Sequence, residues 1–599
     1  MHWSPNNAGV VVATLLAACA VPWAGPDLEA YVSAPLAPCN TEDAACGALV
    51  QPADSILVNR LAGGDFEDAT ALARLTGMPW RPHEGRKGDL HVAFDTAGGG
   101  GETRTVYVVE RIHSDAARDS VLSIASDGGA AVWLNGVHLG ASRDVSRASR
   151  AHQDLYAVSL RPGGNVLVYK VLTRGAESKL HREWHGADAL PDLLRASIDL
   201  NAYANLPRTS ILPDTAAHVE LRAAQIRLGH VPRIAFRWLT LLGESPSQPV
   251  VFSGTYPERL SLPAGFTGMA ILEIEVSDPE SDRLLYHEQM PIFADSTARG
   301  LARALTDGAA LDDAASGDPV RAARIDAVRT VFGLAEDSSA TVFSAWHKAH
   351  ALADLYRVTE LPQSFHRFAG AQVWGYRDAD GTVQPYWLTV PHSAARSVAS
   401  ADDALPGLVF SLTHHANPSY WLGRGRFEGM VIRLATMSTT SGNFGVVPHL
   451  GGEQAFAQVG IEEFPAITRQ VADAFRVDTA AVAILAWSSH ARETVRVAQS
   501  PQVSLAWVGF AVPSLYSEHT PLAVALDSLH AVRPDLRWMM WRASEDDRIP
   551  RARTEAWVDT VRHAGFTVDY REVPYSTHLG GFFDDVEAEL LRTVAAHGS

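Results

Sequence analysis

The sequence predicts a multi-domain chain with an all-β N-terminal half, a helical connector, and a C-terminal α/β unit whose mostly parallel sheet carries helices on both faces. Three observations predict it. A chain of 599 residues is roughly four times the usual ~150-residue domain, so three or four folded units are expected. Short runs of alternating, β-branched residues crowd the first half, which is the pattern of half-buried strands. From about residue 359 onward, near-continuous apolar runs alternate with amphipathic segments at the spacing of βα units.

Composition narrows the function classes. Hydrophobic residues make up 47% and charged residues 20%, as in soluble globular proteins, which excludes a largely disordered chain or a multi-span membrane protein. The net charge of −18, from 68 acidic and 50 basic residues, repels phosphate backbones and argues against nucleic acid as a partner. No motif implies a cofactor or a bound metal.

Residues 1–52 are expected to be a signal and tether. The apolar, uncharged run 8–18 is too short to span a bilayer, which needs ~20 apolar residues, but suits the apolar core of a secretory signal. Its end, Leu16-Ala17-Ala18-Cys19, resembles the lipobox of bacterial lipoproteins, although residues 1–7 lack Lys and Arg. The resemblance implies cleavage before Cys19 and a diacylglycerol on its thiol. The protein is then exported, as a periplasmic or outer-surface lipoprotein attached to the membrane by that lipid, or secreted. Cys39 and Cys46, with six residues between them, are read as a disulfide, the alternative being two unpaired thiols. No cysteine is left for a structural zinc site or a catalytic thiol.

Residues 53–175 read as β-strands, at 105–110, 120–125, 131–134 and 165–171. Asn135-Gly136 between two apolar triplets signals a tight hairpin, because both residues tolerate positive φ. Ser126-Asp127-Gly128, Val132-Trp133-Leu134-Asn135-Gly136 and Pro162-Gly163-Gly164-Asn165 together resemble galactose-binding-like jelly rolls, modules often appended to secreted enzymes of carbohydrate metabolism. The resemblance implies either a glycan-recognising module or a spacer. Residues 176–217 are expected to be a helical linker in which His181 and His185 share a solvated face; Arg182 stands where a zinc protease motif needs glutamate. Residues 218–295 are expected to form a small β-sandwich, and 296–358 a helical connector with His347 and His350 solvated.

In the last unit, 359–599, buried strands are expected at 408–412, 429–434, 480–485, 503–508, 536–541 and 567–570. The third runs into Ala486-Trp487-Ser488-Ser489-His490-Ala491, with a helix expected at once. That is the context of a nucleophile elbow, which raises a serine hydroxyl at the carboxyl edge of a sheet. Small residues are needed two before and two after the serine. Ala486 meets the first requirement, and His490 departs from the second. A serine nucleophile needs a base, and the base an orienting carboxylate. Asp546-Asp547-Arg548-Ile549-Pro550 follows the fifth strand, and His578 follows the last. Each residue alone has a plainer reading: Ser488 as a helix cap, Asp546 as a cap near Pro550 with Asp547 as the acid instead, His578 as one of 24 histidines. Their order after successive strands favours a triad.

From about residue 372, including Gln384-Pro385-Tyr386-Trp387-Leu388-Thr389-Val390-Pro391, the chain resembles α/β-hydrolases of the prolyl oligopeptidase-like peptidase and esterase group. The resemblance implies Ser488 as nucleophile, His578 as general base and acid, and Asp546 as its orienter. It also implies an oxyanion hole from the amides of Ser489 and His415, the latter in Thr413-His414-His415, where relatives carry His-Gly. The substrate implied is an ester or peptide, or one linked to carbohydrate. The rival expectation is a surface binding protein whose elbow is blocked by His490 and whose jelly roll recognises a glycan or partner.

Overall fold

A computed structural model describes residues 28–33, 50–82, 89–93, 103–142, 154–193, 210–227, 233–239, 250–253, 259–277, 284–311, 317–337, 342–361, 368–391, 405–412, 443–448, 463–487, 491–513 and 519–576, apart from scattered positions inside these spans. The chain divides into two compact units, Met1–Pro191 and Asp192–Ser599. It is a multi-domain protein in which, among the described residues, strands in several sheets outnumber helices.

In the first unit the elements are β1 (Leu28–Ser33), α1 (Pro52–Gly63), α2 (Ala69–Thr76), β2 (Trp80–Pro82), β3 (Asp89–Ala93), β4 (Thr103–Ser114), β5 (Arg118–Ser126), β6 (Ala130–Leu134), β7 (Val137–Ser142), β8 (Asp154–Leu160), β9 (Gly163–Arg174) and β10 (Glu177–Gly186). One antiparallel sheet runs β2-β1-β4-β9-β6-β7, and a second joins β8, β5, β10 and β3. Strand periodicity explains how the first sheet is buried on both sides. Val106 and Val108 of β4 share a core with Leu122, Ile124, Tyr156 and Trp184 of the second sheet. Their neighbours Tyr107 and Val109 point the other way, against Val58 and Leu61 of α1 and Leu72 of α2. The turn between β6 and β7 is Asn135-Gly136, both at positive φ (51° and 85°).

Two buried ion pairs stitch these layers. Asp54, in the first turn of α1, accepts from the Gln51 amide at 2.6 Å and pairs with Lys170 of β9 at 2.9 Å. Between the sheets, Glu110 of β4 meets Arg182 of β10 and accepts from the Tyr169 hydroxyl at 3.0 Å. Burial pushes the Glu110 carboxyl up, and Arg182 and Tyr169 oppose that shift. Arg182→Ala would strand a carboxylate that is 0% exposed, so a loss of about 3–5 kcal/mol is expected in chemical denaturation, with Arg182→Met/Glu110→Gln recovering most of it.

Three expectations are corrected here. Leu28–Ser33, assigned to the tether, is an inner strand between β2 and β4, because its alternating residues match the β4 register. The segment after residue 52 opens with two helices, set by Pro52 at the first turn and by Asp68, whose Oδ1 accepts from the Ala71 amide at 2.7 Å. The supposed helical linker begins as β10, whose even-numbered Leu180, Arg182 and Trp184 enter the core. His181 and His185 therefore lie on a strand face, each near Glu183, at 3.3 and 3.6 Å.

The second unit begins with β11 (Ile211–Leu212), β12 (His218–Glu220), β13 (Ile226–Arg227), β14 (Arg233–Leu239), β15 (Val250–Ser253), β16 (Arg259–Ser261), β17 (Met269–Ser277) and β18 (Leu284–Ala294). Five of these form a sheet, β11-β18-β17-β14-β15, and β12 pairs with β16. Helices α3 (Asp295–Asp307), α4 (Pro319–Asp337) and α5 (Val342–Glu360) follow. Next come β19 (Gly370–Arg377), β20 (Val383–Val390), β21 (Leu408–Leu412), β22 (Phe444–Pro448), α6 (Glu463–Ala474), β23 (Val482–Trp487), α7 (Ala491–Ala498), β24 (Trp507–Ala511), α8 (His519–Val532), β25 (Arg537–Ala543), α9 (Arg551–His563) and β26 (Val568–Val573).

The eight strands β19-β20-β22-β21-β23-β24-β25-β26 form one sheet, parallel from β22 through β26. On one face Phe410, Ile484, Phe510 and Met540 pack under Phe464 of α6, Val495 of α7, Leu526 of α8 and Trp557 of α9. At the β19 edge, Asp354 of α5 accepts from the Val373 amide at 2.5 Å, and Arg324 of α4 donates to its carbonyl at 3.1 Å. Trp346 of α5 reaches the second face, with its ring 4.8 Å from that of Trp387.

His347 and His350 are buried rather than solvated, at 1% and 2% exposure. The reason is that most of the described part of α5 is enclosed: Ala349, Ala351, Leu352, Ala353 and Leu355 are buried too. His350 lies 3.3 Å from Glu288 of β18, with its ring tilted against that of Trp346 at 4.3 Å. The strand expected at 503–508 is Trp507–Ala511, because pairing of Trp507 with Ala483 fixes the start. Gly509 is required there, since a Cβ would meet the Trp507 and Trp541 rings at 2.8 and 2.7 Å. Phe444–Pro448 forms a strand that the sequence reading lacks, and 429–434 lies outside the described residues.

Glu463 opens α6 in a buried setting. Burial raises its carboxyl to about 7, against a hydrogen bond with Tyr376 and with help from nearby Asp378. The folded state therefore holds a proton that the unfolded chain releases near pH 4.5. Stability from this group is present below about pH 4.5 and is lost as pH rises to about 7. The expected loss is about 3 kcal/mol, and Glu463→Gln should flatten that part of a denaturation-versus-pH curve.

Candidate active site at the carboxyl edge of the sheet

Strand order locates the site before any side chain does. From β21 the chain crosses to β22 on one side, and it later resumes at β23 on the other. Connections that leave a parallel sheet in opposite directions open a crevice at the carboxyl ends of the strands. Here that switch point falls between β21 and β23, where Leu412 and Ala486 pair directly. The register continues the edge outward, with Trp487 level with Ala511, Ala511 with Trp541, and Ala543 with Val573.

The loops named from sequence all leave this edge. Strand β23 is described to Trp487 and α7 from Ala491, with Ser488, Ser489 and His490 between them in sequence. These three, with Thr413, His414, His415, Asp547 and His578, lie outside the described residues, as do Cys19, Cys39 and Cys46. What flanks Ser488 is described: Ala486 is 1% exposed and Thr494 is fully buried, as strand–helix contact at a tight turn requires. Adjacent strands sit about 4.8 Å apart, so β26 is about 14 Å from β23. Four residues lie between Val573 and His578, and the five Cα steps reach roughly 17 Å when extended.

Asp546 is the one proposed catalytic side chain whose geometry is described. Its amide donates to the Ala543 carbonyl at 3.3 Å, closing a turn directly after β25. Its Oδ1 accepts from the Arg548 and Ile549 amides at 2.9 and 3.0 Å. The carboxylate is thus fixed by its own loop. It is not the cap of α9, whose N-cap is Pro550.

Two residues at this edge carry no sequence signal. Val512, just after β24, has φ 43°, a strained value for a β-branched side chain, and its amide donates to the Trp541 carbonyl at 2.8 Å. Ser576, in the loop after β26, is 0% exposed, and its hydroxyl donates to the Val573 carbonyl at 2.5 Å. Neither residue type stands out in a sequence; only burial and backbone angles mark them.

Elsewhere, one cluster of three metal-capable side chains occurs among the described residues: Glu273, Glu275 and His287, with ligand atoms within 4.8 Å of one another. Arg237 lies 2.5 Å from Glu273 and 3.9 Å from Glu275, and His287 and Gln289 reach the other Glu273 oxygen at 3.2 and 3.0 Å. Burial works against the Glu273 charge, but these partners prevail and hold its carboxyl at about 2. The donor set describes an ion-pair network whose cation is a guanidinium.

No family model and no curated protein matches the chain. Among solved structures, a ferulic acid esterase is similar over 38% of this chain and 99% of its own, at 14% identity and TM-score 0.29. An S-formylglutathione hydrolase from Staphylococcus aureus is similar over 38% of this chain and 96% of its own, at 10% identity and TM-score 0.28. A dipeptidyl peptidase 4 from Porphyromonas gingivalis is similar over 38% of this chain and 36% of its own, at 12% identity and TM-score 0.28.

Proposed function

We propose that the second unit is a serine hydrolase acting on ester or peptide bonds through Ser488, His578 and Asp546. The observation that carries this reading is the junction of β23 and α7. A serine directly follows the described end of a central parallel strand, three residues before the described start of a helix, at the switch point of the strand order. In the proposed reaction His578 removes the Ser488 proton as Oγ attacks the substrate carbonyl. The negative charge on the tetrahedral carbonyl oxygen is met by the backbone amides of Ser489 and His415. Collapse breaks the ester or amide bond, and the leaving alcohol or amine takes the proton from His578. Water, deprotonated by the same imidazole, then attacks the acyl-enzyme and frees the acid and the serine. Asp546 holds the imidazole in its working tautomer and offsets the charge it acquires.

The N-terminal sequence supports export, with Cys19 as the lipidated residue and the substrate met outside the cytoplasm. Labelling by a fluorophosphonate probe, followed by a panel of short-chain p-nitrophenyl esters and aminoacyl-proline amides, tests the reading. Labelling with turnover of either class supports it. Folded protein that neither labels nor turns over any substrate leaves a binding role.

A further inference from the structure

We propose that Lys170 and Asp54 condense into an isopeptide bond, a covalent cross-link between β9 and α1 inside the first unit. Each residue stands in an apolar row. Lys170 lies between Val168 and Leu172 on β9, and Asp54 shares the buried stripe of α1 with Val58 and Leu61. Their side chains are 4% and 2% exposed, and Nζ donates to both carboxylate oxygens, at 3.0 and 2.9 Å. Lysine is itself rare in this chain. Of 50 Lys and Arg residues four are lysines, Lys87, Lys170, Lys179 and Lys348, and the buried acids Glu110 and Asp354 are paired with Arg182 and Arg324. A guanidinium stays charged, whereas an amine that passes on its proton is a nucleophile.

The step consumes only the two side chains. The ammonium passes one proton to Oδ2, and the free amine attacks Cγ as the carboxyl turns its face toward it. The new C–N bond pushes an electron pair onto Oδ1, where the Tyr107 hydroxyl donates and offsets the developing charge. Burial, with the Asp54 carboxylate beside it, pushes the Tyr107 pKa up, so this hydroxyl keeps its proton. A second proton moves from nitrogen to the Oδ2 hydroxyl, the C–O bond breaks, and water leaves. An ammonium and a carboxylate thereby become one neutral amide, which removes two charges from an apolar layer. No disulfide can serve here, because no cysteine occurs after Cys46. The bond joins residues 116 apart in sequence, so it withdraws much freedom from the unfolded chain.

Mass spectrometry of the folded full chain tests the link. The wild type should be lighter than its processed sequence by one water, about 18 Da. Trypsin should release a branched product that joins the peptide ending at Arg60 to one running uncut through Lys170 to Arg174. Lys170→Arg keeps a cation opposite Asp54 and cannot condense, so it should show its full mass with an unchanged circular dichroism spectrum. Lys170→Met/Asp54→Asn, which removes both charges, makes the same comparison should the arginine variant fail to fold. Tyr107→Phe should link roughly 100-fold more slowly, followed as linked fraction against time after synthesis. Folded wild type of full mass, with both tryptic peptides recovered unlinked, would overturn the cross-link. A water deficit that persists in Lys170→Arg would overturn it as well.

Discussion

Ser488→Ala is expected to abolish fluorophosphonate labelling and to lower kcat by at least about 10,000-fold, with the melting temperature unchanged. The size follows from the role. Without the hydroxyl no acyl-enzyme forms, and what remains is the modest assistance of bound amides to attack by water. Stability should hold because the residue sits between the end of β23 and the start of α7, and the packing of that junction comes from Ala486, Val495 and Ala498. Mass spectrometry of labelled wild-type protein should find the adduct on the peptide that contains Ser488. An adduct elsewhere would move the nucleophile to another loop.

Asp546→Asn carries the second large effect, a fall in kcat of about 10,000-fold, because an amide favours the wrong imidazole tautomer. Asparagine keeps an Oδ1 acceptor for the Arg548 and Ile549 amides, so the loop is preserved and the loss reports charge and tautomer alone. Asp547→Asn separates the two candidate acids. It should retain most activity, measured as kcat on the same ester, and the reverse result would transfer the role to Asp547.

How much of this was legible in the sequence depends on how local the cause is. The Asn135-Gly136 turn could be read directly, since two residues that tolerate positive φ fix it. The strand that delivers Ser488 was likewise legible as an apolar run ended by a helix start. Strand β1 was not, because nothing in Leu28–Ser33 announces its partners; its place is set by β4, far along the chain. His347 and His350 were misread for a related reason. Two histidines beside a lysine look solvated when taken alone, and only Trp387 of β20 and Glu288 of β18, brought against their helix from elsewhere in the chain, show that this part of it is enclosed. At the site, the proposed triad rests on residue types and their order in the sequence, whereas the hydrogen bonds of Ser576 join segments that meet only in three dimensions.

The contacts at Val373 have a consequence for how the molecule behaves in company. An outermost strand normally offers its free amides and carbonyls to any passing chain of matching shape. Here Asp354 and Arg324 already occupy that row at Val373, so the sheet is finished on this side and cannot be extended by a neighbour at that point. Should α4 and α5 peel away, the same strand would turn adhesive.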